Sequence, residues 1–409
     1  MKRLLADLSA EFDRLRPQVI RPAEGFLKHD YLVPGGYYDQ LWDWDGFFIG
    51  CHLAARSVDE ARYLKGWVLN FLEAADAEGY VTGCLTPRGP RPLFGRFPLK
   101  PFLCQGAWFA AGRSGDFAWL RPVYDRLRRV VAYREETQLD RGTGLFFWDN
   151  AMQSGADNNV ALTNDPNDRS AVLAADINAF QHREYLALAA VAEALGRPDD
   201  ARGDRLKADA LRQAMLERLW FGPEASFFNV RRDTGRPLRR VSYSNFAPLV
   251  ENILPRAEGR RMIEAYLWNR DHLLADYGLR TLSRLDQDYN NAAVIVPYSN
   301  WRGPVWPIAC FLYSLGLLNY GFEAQAAELA GTLGRLLLRD IRACGSMHEN
   351  YHPDTGAPLA PTAEQSRGGV FAGFVGWNLL VENMLQGAVD GRWLRLEVPP
   401  SGTGPRSVG

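Results

Sequence analysis

Apolar residues recur at positions i, i+3, i+4 and i+7 from one end of this 409-residue chain to the other, a period that leaves little room for a sheet-based fold. Leu64, Trp67, Val68 and Phe71 form one such stripe; Leu120, Val123, Tyr124 and Leu127 form a second, and Leu188, Val191, Ala192 and Leu195 a third. Others run through Leu211, Met215 and Leu219, around 262–267, through 308–318, and over Leu329, Leu333, Leu336 and Leu337. Alternating, strand-like runs are few and short. The pattern predicts roughly a dozen helices separated by long loops rich in Gly, Pro, Asn and aromatics. The chain therefore reads as all-α, made of stacked helix pairs, and the period serves a solenoid and a closed toroid equally well. With no low-complexity linker inside it, residues 1–398 read as a single domain and the polar stretch 399–409 as a flexible tail.

Bulk properties narrow the function by exclusion. A formal net charge of −1 with evenly spread charges gives no nucleic-acid footprint. The five cysteines, Cys51, Cys84, Cys104, Cys310 and Cys344, are far apart and in no C-x-x-C arrangement, which fits reduced thiols in a cytoplasm better than a disulfide framework or a zinc cluster. Near the N-terminus, Leu4, Leu8, Phe12 and Leu15 mark an amphipathic helix, with Asp7, Glu11 and Asp13 interrupting any secretory apolar core. No stretch approaches membrane-spanning length, so the expectation is a cytoplasmic protein with no membrane partner. A homo-oligomer is compatible with this composition but not implied by it.

The pentapeptide His348-Glu349-Asn350-Tyr351-His352 matches the zinc-peptidase motif H-E-x-x-H. That chemistry needs both histidines on one face of an unbroken helix. Pro353 follows at once and pushes His352 out of the α region, and Asp354-Thr355-Gly356 continues as a turn. Glu349 is therefore expected on a loop, a carboxylate in need of a partner, with no metal and no cofactor.

Three other loops hold groups suited to chemistry. In the segment from Pro34 to Phe48, Tyr38, Trp42, Trp44 and Asp45 mix aromatics with carboxylates, a composition suited to stacking on sugar C–H faces and binding hydroxyl pairs. An aromatic-rich helix start packed on the core explains the same residues equally well. The stretch from Trp148 to Asn159, with Asp165, Asp168, Asp176 and Asn178 after it, is rich in Asp and Asn but lacks the spacing of a calcium loop. Asp157 within it matters only if a second carboxylate faces it. The segment from Tyr298 to Pro307 sets Trp301 beside Arg302, and Trp377 and Asn378 lie just beyond the Glu349 loop.

Taken together, these segments resemble the inverting glycosidases with an (α/α)6 barrel, the trehalases of glycoside hydrolase family 37 and the enzymes of family 63, in collinear order over roughly residues 30 to 385. The segment 34–48 looks like the trehalase P-G-G…W-D frame. SGADNN resembles the loop holding the general acid, at Asp157, and HENYHPDTG resembles the loop holding the general base, at Glu349. ADINAF and NWRGPVW match two further segments in order. Three positions depart from the trehalase pattern: Tyr37, Ala156 and Asn300. The short length is similar to the bacterial mannosylglycerate and glucosylglycerate hydrolases of family 63, whose substrates are of the compatible-solute class.

The resemblance implies a small-molecule sugar substrate, with Asp157 as the acid, Glu349 as the base, and Tyr38, Trp42, Trp44, Asp45, Gln105, Gly155, Asn300, Trp301, Arg302 and Trp377 binding the sugar. An inverting pair stands roughly 6.5–9.5 Å apart, leaving room for a water. The segment from Thr86 to Phe102, with Arg88, Arg91, Arg96 and Lys100 and no acid, suits a carboxylate-binding lid or equally a solvated basic loop. Alternatives are a trehalase-like α-glucosidase, a sugar-binding or sugar-isomerising α-toroid that hydrolyses nothing, and a zinc peptidase. Mannose and glucose are not distinguished by the sequence.

Overall fold

Helices alternate between two depths along the chain, and this alternation builds the molecule. The computed structural model describes residues 1–36, 38–92, 95–162, 171–293, 299–360, 371–396 and 398. The tail at 399–409, together with Tyr37, Asp165, Asp168 and Tyr298, lies outside them.

In chain order the helices are α1 (Lys2–Leu15), α2 (Asp43–Arg56), α3 (Ala61–Ala74), α4 (Leu103–Ser114), α5 (Tyr124–Gln138), the single turn α6 (Ala151–Ser154), α7 (Ala175–Ala194), α8 (Pro198–Arg218), the short α9 (Ala247–Val250), α10 (Arg256–Met262), α11 (Pro307–Asn319), α12 (Glu323–Cys344) and α13 (Leu380–Asp390). Six of them pack side by side in a closed circuit: α2 on α4, α4 on α7, α7 on α9, α9 on α11, α11 on α13, and α13 back on α2. The remaining long helices lie outside this ring, α3 against α2 and α4, α5 and α8 against α7, and α12 against α11 and α13. α1 packs on α12 and α13, bringing the first described helix against the last. The toroid is thus chosen over the solenoid: six inner helices alternate with outer ones as an (α/α)6 barrel.

Sequence explains the two depths. α11 carries PIACFLYSLGLLN and is buried over nearly its whole length, as a helix with neighbours on all sides must be. α12 instead buries one face, through Leu329, Leu333, Leu336, Leu337 and others, and shows its charges to water. One apolar core runs from Leu8 to Leu396. The long loops are more ordered than their composition suggests. Leu139–Asp140, Leu145–Trp148, Val172–Leu173, Asn229–Arg231 and Pro237–Leu238 form a five-stranded antiparallel sheet, each strand too short to show an alternating period. No helix among the described residues is long and apolar enough to cross a membrane.

Close approach of α2, α3 and α4 depends on Trp67, fully buried between two glycines. A methyl group at Gly46 would overlap the Trp67 indole, and one at Gly106 would come within 2.9 Å of its far edge. Trp67 also donates its N–H to the Trp42 carbonyl at 3.3 Å, so this packing reaches the segment that opens α2. Gly46→Ala should therefore lower stability by about 1–3 kcal/mol, the cost of overpacking a filled core, read as a fall in the urea unfolding midpoint.

Candidate active site

Four inner helices present their N-terminal ends to one pocket of about 280 Å³. Asp43, Trp44 and Asp45 come from the first turn of α2, Lys100 from the residues before α4, Trp306 caps α11, and Trp377 lies in the 3-10 turn that leads into α13. Asp157, Ser299, Trp301 and Glu349 reach the same pocket from three loops.

Those loops are fastened to one another. Asn150 caps α6 by accepting the Gln153 N–H at 3.1 Å, and Gly155 ends that turn with φ +85, in the left-handed region that glycine tolerates. Its missing side chain also matters, because a Cβ there would press on Lys100 Cε at 3.0 Å. The next residues are clasped by the loop before α11. Ser299 donates its N–H to Asp157 Oδ2 at 3.3 Å, Trp301 its N–H to Asn158 Oδ1 at 2.7 Å, and Arg302 Nε donates to the Asn158 carbonyl at 3.1 Å. On the far side, Val305 and Tyr351 exchange backbone hydrogen bonds at 2.8 and 2.9 Å, which ties this loop to the one carrying Glu349. Asn350–Tyr351 also pairs with Pro358–Ala360. His348 and Glu349 lie in a loop and Asn350–Tyr351 in a strand, so His352 shares no helix with His348, as Pro353 requires.

One wall is aromatic. Trp301 and Trp306 stack with centroids 4.3 Å apart and planes within 14°, and the row continues through Trp377 and Phe374 to Tyr38. Buried indole N–H groups of Trp42 and Trp377 find no acceptor among the described residues. Donors of that kind, on residues lining a cavity, suit a ligand that brings hydroxyl oxygens.

The pocket is also lined by charge. Asp43 is 1% exposed and accepts the Lys100 backbone N–H at 2.6 Å and its ammonium at 3.2 Å. Burial pushes the Asp45 carboxyl up to about 7; Lys100 opposes this, while Asp43 and Asp157 add to it. Burial likewise pushes Asp157 up to about 6, against the Ser299 hydrogen bonds and the Lys100 charge. Glu349 is 3% exposed. The pocket can therefore hold protonated and ionised carboxyls side by side near neutral pH.

Of the residues expected from sequence, Tyr38, Trp42, Trp44, Asp45, Gly155, Asp157, Trp301, Glu349 and Trp377 line the pocket. Three do not. Gln105 turns into the protein, its amide donating to the carbonyls of Pro101 at 2.5 Å and Phe180 at 3.0 Å. Asn300 spends its side chain on Asn290, Ala292 and the Arg302 N–H, and Arg302 serves the clasp on Asn158. Of the basic segment's described cations, Arg96 is held by Asp76 at 2.9 Å on the surface, Arg88 and Arg91 are exposed, and Lys100 lines the pocket, bonded to Asp43. Asp176 accepts the Trp148 indole N–H at 2.9 Å, a structural role. Sequence reasoning does not reach Asp43, Met152, Ser299, Trp306 and Phe374, although the W-D-W-D pattern of residues 42–45 is a signal for Asp43. A larger cleft of about 380 Å³ beside the C-terminal end of α2 offers one carboxylate, Glu382, already bonded to Arg16.

Comparison with known proteins agrees with the fold. The sequence profile of the mannosylglycerate hydrolase MGH1-like glycoside hydrolase domain matches residues 38–368. A periplasmic trehalase from Citrobacter koseri is 24% identical over 386 residues, spanning 79% of this chain and 64% of that protein. A glucosylglycerate hydrolase from Mycolicibacterium hassiacum is 33% identical over 119 residues, 28% of this chain and 24% of that one. Among solved structures, a GH63 mannosylglycerate hydrolase from Thermus thermophilus in complex with Tris and D-glycerate superposes with a TM-score of 0.72 at 19% identity, covering 92% of this chain and 99% of that one.

The raised carboxyls carry a cost in stability. From about pH 4 to 7 the folded protein keeps a proton on Asp45 that the unfolded chain has released, so stability falls as pH rises through this window. Asp45→Asn removes that dependence. Its melting temperature should rise relative to the parent at pH 8, by the equivalent of about 1–4 kcal/mol, and change little at pH 4; thermal melts at the two pH values give the comparison, and equal shifts at both would contradict it.

Proposed function

The chain belongs to the mannosylglycerate hydrolase MGH1-like glycoside hydrolase family, and from this premise we propose that it is an inverting α-glycosidase cleaving a hexosyl glycerate to hexose and glycerate. Asp157 is the general acid and Glu349 the general base. The observation that carries this reading is their convergence: two carboxyls far apart in sequence line one pocket, together with a row of aromatic side chains.

In the reaction, protonated Asp157 gives its proton to the glycosidic oxygen as the bond to the anomeric carbon breaks. Glu349 takes a proton from a water attacking that carbon from the opposite face, and the anomeric configuration inverts. The raised Asp157 carboxyl supports the acid role, since the proton must be present near neutral pH. Trp42, Trp44 and Trp377 hold the sugar, and Asp45 accepts from its hydroxyls. Lys100 is a positioning residue: its charge limits how far Asp45 and Asp157 rise. We assign the enzyme to the cytoplasm, where its five free cysteines stay reduced.

One observation favours a second reading. The described lining holds Asp43, Asp45, Asp157 and Glu349 but a single cation, Lys100, already bonded to Asp43. A neutral α-linked disaccharide such as trehalose suits that balance better than an anion does. Assay of the purified protein against mannosylglycerate, glucosylglycerate and trehalose decides between them. Turnover of a glycerate glycoside upholds the proposal, and hydrolysis of trehalose alone replaces it.

Asp157→Asn and Glu349→Gln should each lower kcat by about 10²–10⁴-fold with the circular dichroism spectrum and cooperative unfolding retained. In the intact enzyme kcat/KM should fall above about pH 6, as Asp157 loses its proton. Lys100→Met should move that limb to higher pH, because the ammonium holds Asp157 down; a limb that stays in place or moves down would remove Lys100 from the account.

A further inference from the structure

Asp340 and Cys344 stand one turn apart on the last turns of α12, so their side chains share a face. Gly345 ends the helix with φ +81, and the left-handed turn brings the chain back so that His348 returns over that face. A carboxylate, a thiol and an imidazole meet there, their donor atoms all within 4.8 Å of one another, the one such group among the described residues. Cys344 Sγ lies 3.4 Å from Asp340 Oδ1, and His348 Nδ1 lies 2.8 Å from Asp340 Oδ2. Asp340 is buried while Cys344 is exposed, which gives an ion a way in from solvent.

We propose that Asp340, Cys344 and His348 form an inhibitory site for a zinc-class divalent ion, coupled through the chain to Glu349. Mixed sulfur, nitrogen and oxygen donors select zinc or its soft neighbours over magnesium and calcium, which take oxygen. Bond lengths of about 2.0–2.3 Å set the donors of a tetrahedral zinc ion roughly 3.5 Å apart. The cluster therefore needs to contract by an ångström or so, and water fills the fourth position. Binding releases the Cys344 thiol proton to solvent; the His348 ring proton, which Nδ1 donates to Asp340 Oδ2 before the ion arrives, moves by exchange with solvent to Nε2 and leaves the Nδ1 lone pair for the ion. The zinc reading of H-E-x-x-H fails at His352, yet His348 has metal-binding partners upstream, on the helix.

The coupling follows from what Asp340 already does. Its Oδ2 accepts the His348 backbone N–H at 3.0 Å and the Tyr351 hydroxyl at 2.7 Å, two bonds that straddle Glu349. The His348 carbonyl is held by Asn378 at 2.9 Å, and its ring stacks on Phe371 with centroids 4.3 Å apart. An ion taken by Asp340 and His348 replaces the bond between carboxylate and imidazole and draws His348 toward the end of α12. Glu349, the next residue, moves with it. This inhibitory half rests on the proposed hydrolase function; the binding half does not.

The test uses the full chain, freed of metal by a chelator and titrated with zinc chloride by calorimetry, beside Cys344→Ala, which removes an exposed donor that is not among the residues lining the pocket. One ion per chain is expected, with affinity at least about tenfold lower in the variant. Cobalt should give a thiolate charge-transfer band in the parent protein and none in the variant. Zinc should slow glycoside hydrolysis by the parent, reversibly with chelator, and leave the variant, whose basal rate is unchanged, unaffected. No binding at micromolar zinc, or equal binding by Cys344→Ala, overturns the site. Binding with turnover unchanged overturns its link to Glu349. Calorimetry and cobalt spectra need no substrate, so even a chain that hydrolyses none of the glycosides reveals through them whether the ion binds.

Discussion

A ring of six inner helices closes only if each of them has packing partners on every side, and the rest of the molecule follows from that requirement. Inner helices must be apolar nearly all round, as α11 is, and the outer ones need only one apolar face, as in α12. With helices filling the ring, functional groups must come from its ends. α2, α4, α11 and α13 open on the same pocket, and the positive ends of their dipoles favour the carboxylates gathered there. Trp67, wedged between Gly46 and Gly106, shows how closely α2, α3 and α4 must approach for the ring to shut.

Charge in the pocket is governed by scarcity of cations. Lys100 neutralises Asp43 and acts at longer range on Asp45 and Asp157, which burial holds at about 7 and about 6. In water such carboxyls would all be ionised near neutrality; here burial keeps protons available for transfer. Gly155 takes part indirectly, because any side chain at that position would press on Lys100. The same burial that lets two acids differ in protonation lowers stability above their ordinary range.

Much of this architecture is legible in the sequence. The helical period points to the all-α class, and the order of the loop motifs to a barrel; closure itself is hidden, because a period says nothing about which helix meets which. Trp42, Trp44, Asp45, Asp157 and Glu349 stand out because aromatics and carboxylates in Gly-rich loops are costly unless a ligand or a core uses them. Pro353 correctly removes His352 from any helix with His348. Gln105, Asn300 and Arg302 mislead for a common reason: an amide or guanidinium near a site serves equally well as a clasp, and only the direction of its hydrogen bonds separates the two. Lys100 reads as part of a basic lid because its partner, Asp43, lies far away in sequence.

The central claim is that Asp157 and Glu349 act from opposite faces of one anomeric carbon. Proton NMR of the hexose first released from an α-linked hexosyl glycerate tests this most directly, before mutarotation mixes the anomers. The account predicts the β-anomer as the initial product, with the α-anomer growing in only as the sugar equilibrates. An α-anomer at the earliest time points would mean a covalent intermediate and retention, and would contradict the roles given to both residues.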